Sequence, residues 1–437
     1  MRILLALSLA AAAGCRRTPP AAPTPPSRSV RRDVPAPRDV PAPRDAPVAA
    51  APVQLPAPYE TKVAVNPARL VDRAPGDALR APAGLTVTRW AEDIGEVRTL
   101  ALAPSGELFG ADRRGMIKVF ADEDGDGVAE LRLTFARGLE LPFGVTFQRA
   151  EAVYVAATSA LWRFSYRPGQ RLAQGAPTRV LALPGHGYNQ HWTRNVVLSP
   201  DGAEVYVSVG SETNVEPEDD PRAAILRARA DGSDARVFAR GLRNPVGLAF
   251  SPDGRLVTAV NERDELGDDL PPDYLTVVAE GAHYGWPYAY WGAHEDPRRR
   301  GERPDIVARA RTPDLSLGAH AAPIAVVFPR RGALGVPEGD ALVSLHGSWN
   351  RAVHSGYKVV RVRFRGGVPV GPVEDFVTGW LRPDGAAWGR PAGMCELADG
   401  SLLIVDDGDQ SIWRVAPSGA APRAVGGDGG RPAQPAP

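Results

Sequence analysis

Residues 241–270 read GLRNPVGLAFSPDGRLVTAVNERDELGDDL, and this stretch decides the fold. Two β-rich runs flank the triplet Pro252-Asp253-Gly254, the pattern of two antiparallel strands joined by a tight turn. The same kind of turn recurs at Pro104-Ser105-Gly106, Pro200-Asp201-Gly202 and Ala398-Asp399-Gly400. Their glycines are 96, 52 and 146 residues apart, close to two, one and three units of about 49 residues.

Two weaker turns complete the repeat, at Arg149-Ala150-Glu151 and Glu338-Gly339-Asp340. Six turns at this period predict an all-β fold, a six-bladed β-propeller of four-stranded antiparallel blades. A pair of all-β sandwiches is the alternative, in which the repeat period would be accidental. Because a closed ring is one unit, we expect a single domain over residues 60–417, with its site at the mouth of the central channel.

The ends of the chain have a different composition. Residues 1–15 read MRILLALSLAAAAGC, a charged start, a short apolar run and small residues before Cys15, which is typical of a secretory signal and resembles a bacterial lipobox. We therefore expect secretion and a lipid-anchored periplasmic or cell-surface lipoprotein, which meets the membrane only through the lipid. Residues 16–59 are rich in Pro, Ala and Arg and predict a disordered linker, and residues 418–437 predict a disordered tail.

Charge and composition exclude several functional classes. The chain has 51 basic and 51 acidic side chains, and residues 1–60 hold eight Arg against four acids, so the remainder is slightly acidic. Such a balance argues against a nucleic-acid partner. The two cysteines cannot form a zinc or iron–sulfur cluster, and a dinucleotide fingerprint is not found in the sequence.

Several residue types in the opening stretch and its surroundings point to a ligand. The pair Arg243-Asn244, an acidic loop around residues 262–269 and an aromatic cluster at 284–291 suit a flat, anionic, metal-chelating molecule. His191, before the strand that leads to the Pro200 turn, is a candidate general base, although most histidines only pack. A weaker calcium candidate is formed by Asp122, Asp124 and Asp126, which resemble half of an EF-hand loop or else form an acidic turn.

The ordered motifs resemble a known family. They are HWTRNVVLSPDG (191–202), GLRNPVGLAFSPDG (241–254), VNERDELGDDLPPDYLT (260–276), HYGWPYAYWG (283–292), LHGSWNR (345–351), GRPAGM (389–394) and DDGDQSIWRV (406–415). The set is similar to the soluble, six-bladed, pyrroloquinoline quinone (PQQ)-dependent aldose dehydrogenases, most closely their sorbosone dehydrogenase-like branch, over roughly residues 80–416. Single motifs such as SPDG are common in propellers, whereas the ordered set is specific.

The resemblance implies a role for individual positions. His191 corresponds to the general base, which takes the hydroxyl proton of the substrate as hydride moves to the quinone. Arg243 and Asn244 correspond to a pair at the polar edge of the cofactor, and Arg390 to an arginine that binds a cofactor carboxylate. His320 stands where the family has a stacking tryptophan, and we expect Trp349 to contact the cofactor as well. The family's calcium sits against main-chain carbonyls, which are implied here near Glu262 and Arg263. Three aspartates would give nearby acidic support: Asp264, Asp268 and Asp269.

The chain departs from the family pattern at four places. The residue before the base is Gln190 instead of an acid, and Val246 replaces a glutamine. The position of the aspartate that orients the base reads Ser211-Glu212, so we expect Glu212 to replace that acid. No lysine matches the one that contacts the quinone, so we expect Arg351 to take its role.

These observations predict an enzyme, a PQQ- and calcium-dependent dehydrogenase of an aldose or a sorbosone-like aldehyde. The resemblance implies that electrons pass to an external quinone or cytochrome. Two alternatives remain open at this point. One is a calcium-dependent propeller hydrolase of the lactonase type, and the other is a non-catalytic propeller that binds glycans or proteins.

Overall fold

The computed structural model describes residues 53–185 and 191–420. Its regular structure is almost entirely β, with six four-stranded antiparallel sheets arranged as the blades of a propeller. The sequence prediction of an all-β, six-bladed propeller is therefore confirmed, and the sandwich alternative is wrong.

The strands are numbered in chain order. β1 (Leu85–Ala91) belongs to the last blade. Blade 1 contains β2 (Val97–Leu102), β3 (Leu108–Asp112), β4 (Met116–Ala121) and β5 (Leu131–Arg137). Blade 2 contains β6 (Gly144–Gln148), β7 (Ala152–Ala157), β8 (Ala160–Ser165) and β9 (Thr178–Ala182). Blade 3 contains β10 (Val196–Leu198), β11 (Glu204–Val209), β12 (Ala224–Arg229) and β13 (Arg236–Arg240).

Blade 4 begins with β14 (Asn244–Phe250), β15 (Leu256–Asn261) and β16 (Pro272–Val277). Before its fourth strand the chain forms a small hairpin, β17 (Ala289–Tyr290) and β18 (His294–Glu295), a 3-10 helix (Pro297–Arg299) and the helix α1 (Pro304–Arg309). The fourth strand is β19 (Leu315–Ala319). Blade 5 contains β20 (Pro323–Val327), β21 (Ala341–Leu345), β22 (Lys358–Arg365) and β23 (Val368–Val377). Blade 6 contains β24 (Pro391–Glu396), β25 (Leu402–Asp406), β26 (Ser411–Pro417) and β1.

Each of the six predicted turns joins the first and second strands of a blade, as the repeat required. In five of them the glycine adopts a positive φ, for example +83° at Gly254, a region that residues with a Cβ rarely enter. The turn of blade 2 has no glycine and places Arg149 at φ +48° instead. This explains why that turn gave a weaker signal in the sequence.

The ring is closed by the start of the fold. β1 pairs antiparallel with β26, with Leu85 opposite Pro417 and Thr88 opposite Arg414, and so becomes the outer strand of blade 6. Closure across the two ends of the sequence holds the first and last blades together and limits exposed strand edges.

The second strands of the blades form much of the core. All residues of β3, β7, β21 and β25 are buried. Because each blade lies between two others, both faces of such a strand are covered, and its sequence is mostly apolar instead of alternating, with Ser344 and the terminal Asp112 and Asp406 as exceptions. Burial of these runs drives folding through the hydrophobic effect and leaves the strand ends and loops available for a site.

Residues 53–84 lie against the loops at one end of the blades. The Tyr59 amide donates to Leu266 O at 2.6 Å, and the Asn66 amide donates to Trp349 O at 2.8 Å. The predicted signal and most of the predicted linker and tail lie outside the described residues, so these limits and the anchor stay predictions. No helix within residues 53–185 and 191–420 combines the length and the apolarity needed to cross a bilayer.

Candidate active site

A cavity of about 300 Å³ lies where loops and strand ends of different blades meet. Eight side chains that the sequence singled out line it: His191, Arg243, Asn244, Glu262, Asp264, His320, Trp349 and Arg390. They come from segments up to 199 residues apart in the chain. The structure therefore brings together the candidate base, both arginines and part of the acidic loop.

His191 is buried, and Ser211 holds the Nδ1 side of its ring. Its Nδ1 lies 3.0 Å from Ser211 O and 2.9 Å from Ser211 Oγ. The Ser211 hydroxyl donates to Thr213 O at 2.7 Å, so both Ser211 oxygens accept from an Nδ1–H group. This tautomer makes Nε2 the proton-accepting nitrogen. Burial, and after it the Arg243 guanidinium, lower the pKa of His191 well below its ordinary value, which keeps the ring neutral.

Arg243 precedes β14 and is almost completely buried. Its Nη1 donates to Glu262 O at 2.6 Å, and its Nη2 donates to Asn214 Oδ1 at 2.9 Å and to Asp264 Oδ2 at 3.1 Å. The Ser211 amide donates to Arg243 O at 2.8 Å, which links this arginine to the residue that holds His191. Arg243 is thus a paired cation beside the base.

His320 belongs to the same network. Its Nε2 lies 3.0 Å from Gly267 O, and its Nδ1 lies 3.1 Å from the Asn350 amide nitrogen, which also donates to Asp264 Oδ1 at 2.7 Å. Since a carbonyl accepts and an amide NH₂ donates, Nε2 carries a hydrogen and Nδ1 accepts. Both ring nitrogens are used, so contact with a ligand falls to the ring face.

Arg390, just before β24, has a different environment. Its Nε donates to His346 O at 3.2 Å and its Nη2 to Gly347 O at 2.9 Å, while the guanidinium lies 5.6 Å from the Tyr357 ring. None of the ion pairs formed among the described residues includes it. Burial lowers the pKa of Arg390. A partly buried guanidinium bonded only to neutral oxygens is a strong candidate for binding an anion.

Two buried acceptors in the cavity lining have no hydrogen-bond partner among the described residues, Asn244 Oδ1 and Glu262 Oε1. An unpaired buried oxygen is costly and calls for a donor or a cation from a ligand. Gly210 makes room for the first of them, because a Cβ there would collide with Asn244 Oδ1 and approach His191 Cβ to 3.0 Å. The chain thus keeps this part of the cavity free of bulk.

Two predicted site residues lie elsewhere. Glu212 does not orient His191, because its carboxylate lies 3.2 Å from Arg222 and its side chain is 47% exposed; Ser211 holds the imidazole instead. Arg351 does not line the cavity, since it pairs with Asp269 and donates to Ala319 O at 3.2 Å. Both assignments are therefore corrected. The sequence Ser211-Glu212 did not show which of these two side chains faces His191.

The acidic loop is also only partly at the cavity. Arg263 is fully buried and faces away, paired with Glu262 and Asp296. Asp268 accepts from the Ala352 amide at 2.7 Å, and Asp269 pairs with Arg351, so both fix loops instead of lining the cavity. The acidic support expected from Asp268 and Asp269 therefore does not line the cavity, whereas Glu262 and Asp264 do, and a metal contact through the Arg263 carbonyl stays a prediction.

Among the described residues one carboxylate group has the geometry to surround an ion: Asp122, Asp124, Asp126 and Glu130. This is the second calcium candidate of the sequence. Asp122 is buried, and it accepts from the amides of Gly125 and Gly127 at 2.7 and 2.9 Å. The cluster lies outside the cavity lining, and calcium at this place stays a prediction.

Sequence reasoning missed other lining residues, chiefly Arg98, Asp273, His346 and Asn350. His346 and Asn350 belong to LHGSWNR, so the motif itself carried that signal. Arg98 lies in β2 without a local motif, and the sequence offered no indication of it. Asp273 accepts from the Glu262 and Ala322 amides at 2.7 and 2.8 Å, and burial raises its pKa to about 7. Gln190 lies outside the described residues.

Comparison with known proteins gives a consistent result. The model of the TrAA12-like family matches residues 79–273 and 296–379. An uncharacterised protein of Borreliella burgdorferi is 29% identical over 244 residues, which is 53% of this chain and 62% of that protein. A pyrroloquinoline quinone-dependent pyranose dehydrogenase of Coprinopsis cinerea is 24% identical over 311 residues, 56% of this chain and 41% of the relative. The chain thus spans less than two thirds of the length of these relatives.

Among solved structures, the holo form of the PQQ domain of the Coprinopsis cinerea pyranose dehydrogenase superposes with a TM-score of 0.68 at 20% identity. The match covers 79% of this chain and 98% of that domain. At this identity the likeness establishes the shared propeller fold.

Proposed function

Because the chain belongs to the TrAA12-like family, we propose that it is a PQQ-dependent dehydrogenase that oxidises an aldose or a sugar-derived aldehyde of the sorbosone type. One observation carries the proposal: His191, Arg243 and Arg390, from three separate motifs, line one cavity. Residues expected to act on one cofactor and one substrate therefore share a single space. The name of the Coprinopsis cinerea relative supports the same cofactor and a sugar substrate.

The residues present fit this cofactor. PQQ is flat and carries three carboxylates and an ortho-quinone. The Arg390 guanidinium bonds only to carbonyl oxygens, so it can form charge-assisted hydrogen bonds with a carboxylate. The cavity volume of about 300 Å³ lies at the lower end of the range for small-molecule sites. When bound, the quinone supplies the hydride acceptor.

The chain's own contribution to the reaction is proton transfer and orientation. His191 Nε2 takes the proton of the substrate hydroxyl, while Ser211 holds Nδ1–H and with it the tautomer. A positioned base contributes about a hundred- to ten-thousand-fold in rate. Arg243 fixes this region through Asp264 and through the Ser211 backbone. Trp349, 41% exposed beside the cavity, offers a flat apolar surface for a sugar.

Calcium is part of the proposal. Glu262 Oε1 and Asn244 Oδ1 are buried oxygens without a partner among the described residues, and oxygen is the ligand that calcium prefers. Glu262 O already accepts from Arg243, so the carboxylate oxygen of Glu262 without a partner among the described residues is the better placed of its two metal contacts. Asp264 is a charged neighbour of this region.

The cellular setting is proposed from the sequence alone. Cys15 would carry the lipid of a periplasmic or cell-surface lipoprotein, and residues 16–59 would separate the propeller from the membrane. Electrons would pass from the reduced cofactor to an external quinone or cytochrome. In a bacterial host, inhibition of signal cleavage by globomycin and loss of that cleavage in Cys15→Ser would support the lipid anchor. Cleavage that is unchanged by globomycin and by Cys15→Ser would rule the anchor out.

The central experiment is reconstitution. Purified apo-protein is mixed with calcium, PQQ or both, and dye reduction is followed with a panel of aldoses and sugar-derived aldehydes. Reduction that requires both additions supports the dehydrogenase. Hydrolysis of lactones with calcium alone would instead identify a lactonase, and glycan binding without either activity would identify a binding module. A boiled sample and the His191→Ala variant serve as controls for dye reduction that does not depend on the enzyme.

A further inference from the structure

One wall of the cavity contains a histidine–carboxylate pair that the sequence assignments leave without a role. His346 follows β21 in blade 5, and Asp407 follows β25 in blade 6. Nε2 of His346 lies 2.8 Å from Asp407 Oδ1. The sequence predicted a carboxylate behind His191, but the structure has Ser211 there and places the carboxylate–imidazole arrangement at His346 instead.

The pair fixes the tautomer of His346. Burial opposes the charge on Asp407, yet the imidazole and the Arg98 guanidinium beside it keep the pKa of this carboxyl well below its usual range. An ionised Asp407 accepts only, so we assign the hydrogen to Nε2, which donates it to Asp407; the contact of Arg98 Nη2 with the same nitrogen is then a close approach of two donors. Nδ1 is then the proton-accepting nitrogen of the ring, and His346 lines the cavity. A carboxylate behind an imidazole also favours the imidazolium form when a second proton arrives.

Two cations face the same ring. Arg98 comes from β2 in blade 1, with its Nη2 3.1 Å from His346 Nε2 and its Nε 2.7 Å from Asp407 Oδ2. Arg390 precedes β24 and donates to His346 O. Burial, and after it Arg390, lower the pKa of His346 to about 3. These three groups, Arg98, Asp407 and Arg390, are the charged neighbours of the imidazole, and the net effect is a neutral ring.

Anionic ligands act against the electrostatic part of this balance, whereas burial, its largest cause, remains. A carboxylate that enters the cavity neutralises the field of Arg98 and Arg390, which is the electrostatic part of what keeps the ring neutral. Asp407 then stabilises a protonated imidazole from the opposite side. We propose that His346 and Asp407 form a second imidazole–carboxylate pair of the cavity, which takes up one proton when the anionic cofactor binds and adds a third cationic contact beside Arg98 and Arg390.

The inference rests on the proposed PQQ function and assigns a separate task to each histidine. His191 accepts the substrate proton during the reaction, whereas His346 accepts a proton during cofactor binding. Asp407 touches no ligand in this scheme and is a positioning residue. The consequence is a cofactor affinity that rises as the pH falls, because the bound state holds one proton more than the free state.

The test measures binding and needs no turnover. PQQ is titrated into calcium-loaded apo-protein at pH values from about 6 to 8, a range in which its carboxylates stay ionised, and tryptophan fluorescence reports the affinity. Full uptake of one proton changes the affinity by about tenfold per pH unit. Because the imidazole of the complex should be only partly protonated toward pH 8, with about half a proton taken up on average, we expect wild-type protein to bind about tenfold more tightly at pH 6 than at pH 8. Calorimetry in two buffers of different ionisation enthalpy gives the number of protons taken up.

His346→Gln should bind PQQ less tightly and lose most of the pH dependence of binding. Asp407→Asn should reduce both the affinity and its pH dependence. His191→Gln is the matched control, because it removes the other cavity imidazole and should keep the pH dependence. A pH-independent affinity in wild-type protein, or a slope that persists in His346→Gln and disappears in His191→Gln, would overturn the inference while leaving the cofactor assignment intact. Failure of wild-type protein to bind PQQ at any pH would overturn the proposed function itself.

Discussion

The two arginines of the cavity have opposite surroundings. Arg243 is bonded to a carboxylate, a carbonyl and an amide oxygen, and its backbone is tied to the residue that holds His191. Arg390 is less completely buried and donates only to two backbone carbonyls. The same residue type thus serves two purposes. A cation whose charge is already matched fixes the geometry around the base, whereas a cation without a matched charge retains its attraction for an anionic ligand.

This difference divides the proposed reaction between the two sides of the cavity. The Arg243 side carries the base and should control turnover and stability. The Arg390 side carries Arg98, His346 and Asp407 and should control cofactor affinity. Substitutions on the two sides should therefore change different measured quantities, and the four variants below test that division.

The largest effect is expected for His191 on the Arg243 side. His191→Ala should lower kcat by about a hundred- to ten-thousand-fold, since a positioned base is lost. Cofactor affinity at neutral pH should change little. Stopped-flow reduction of the loaded protein and a fluorescence titration measure the two quantities. Wild-type turnover in this variant would remove His191 from the mechanism. A large loss of cofactor affinity would contradict the assignment of affinity to the Arg390 side alone.

Arg390→Met should weaken cofactor binding by about a hundredfold or more, because a buried charge-assisted contact is removed. Thermal stability of the apo-protein should stay the same or rise, since a buried cation without a carboxylate partner is costly to keep. Titration and thermal unfolding of the same samples test both statements. An unchanged affinity together with a lower melting temperature would mean that Arg390 is structural.

Arg243→Met is the matched substitution on the other side. It leaves Asp264 without its cation, and breaking a buried ion pair costs about 3–5 kcal/mol. We therefore expect a clear fall in the melting temperature of the apo-protein, in contrast to Arg390→Met. Asp264→Asn should recover part of the loss in the double variant. Equal stabilities of the two methionine variants would contradict the comparison.

The smallest effect is a shift in pH dependence at Ser211. His191 has a pKa below its ordinary value through burial and Arg243, so its base form persists as the pH falls. Ser211→Asp places a carboxylate behind Nδ1, which favours the imidazolium and raises that pKa. The acidic limb of kcat/KM should therefore move to higher pH by about one unit. A limb that does not move in Ser211→Asp would show that His191 is not the group that titrates.

Much of the fold could be predicted from the sequence because it depends on short-range patterns. Turn triplets at a regular spacing and apolar runs between them specify strands and their connections, and all six turns lie between first and second strands. The candidate site was readable where one motif carried the residue, as for His191, Arg243 and Arg390. Arg98 stayed hidden because a lone arginine in a strand has no local signature, and Glu212 was assigned wrongly because adjacent residues in an irregular segment face different ways.

The sequence by itself determined the number of blades, the turns within them and the presence of a base and two arginines in separate motifs. Only the tertiary structure decided which partner each of these groups has. The contacting residues are far apart in the sequence: His346 lies 61 residues from Asp407 and 248 from Arg98, and Arg243 lies 21 from Asp264. The reason is physical: backbone hydrogen bonding and apolar periodicity act over a few residues, whereas pairing of charges depends on closure of the ring, which brings the ends of different blades to one cavity.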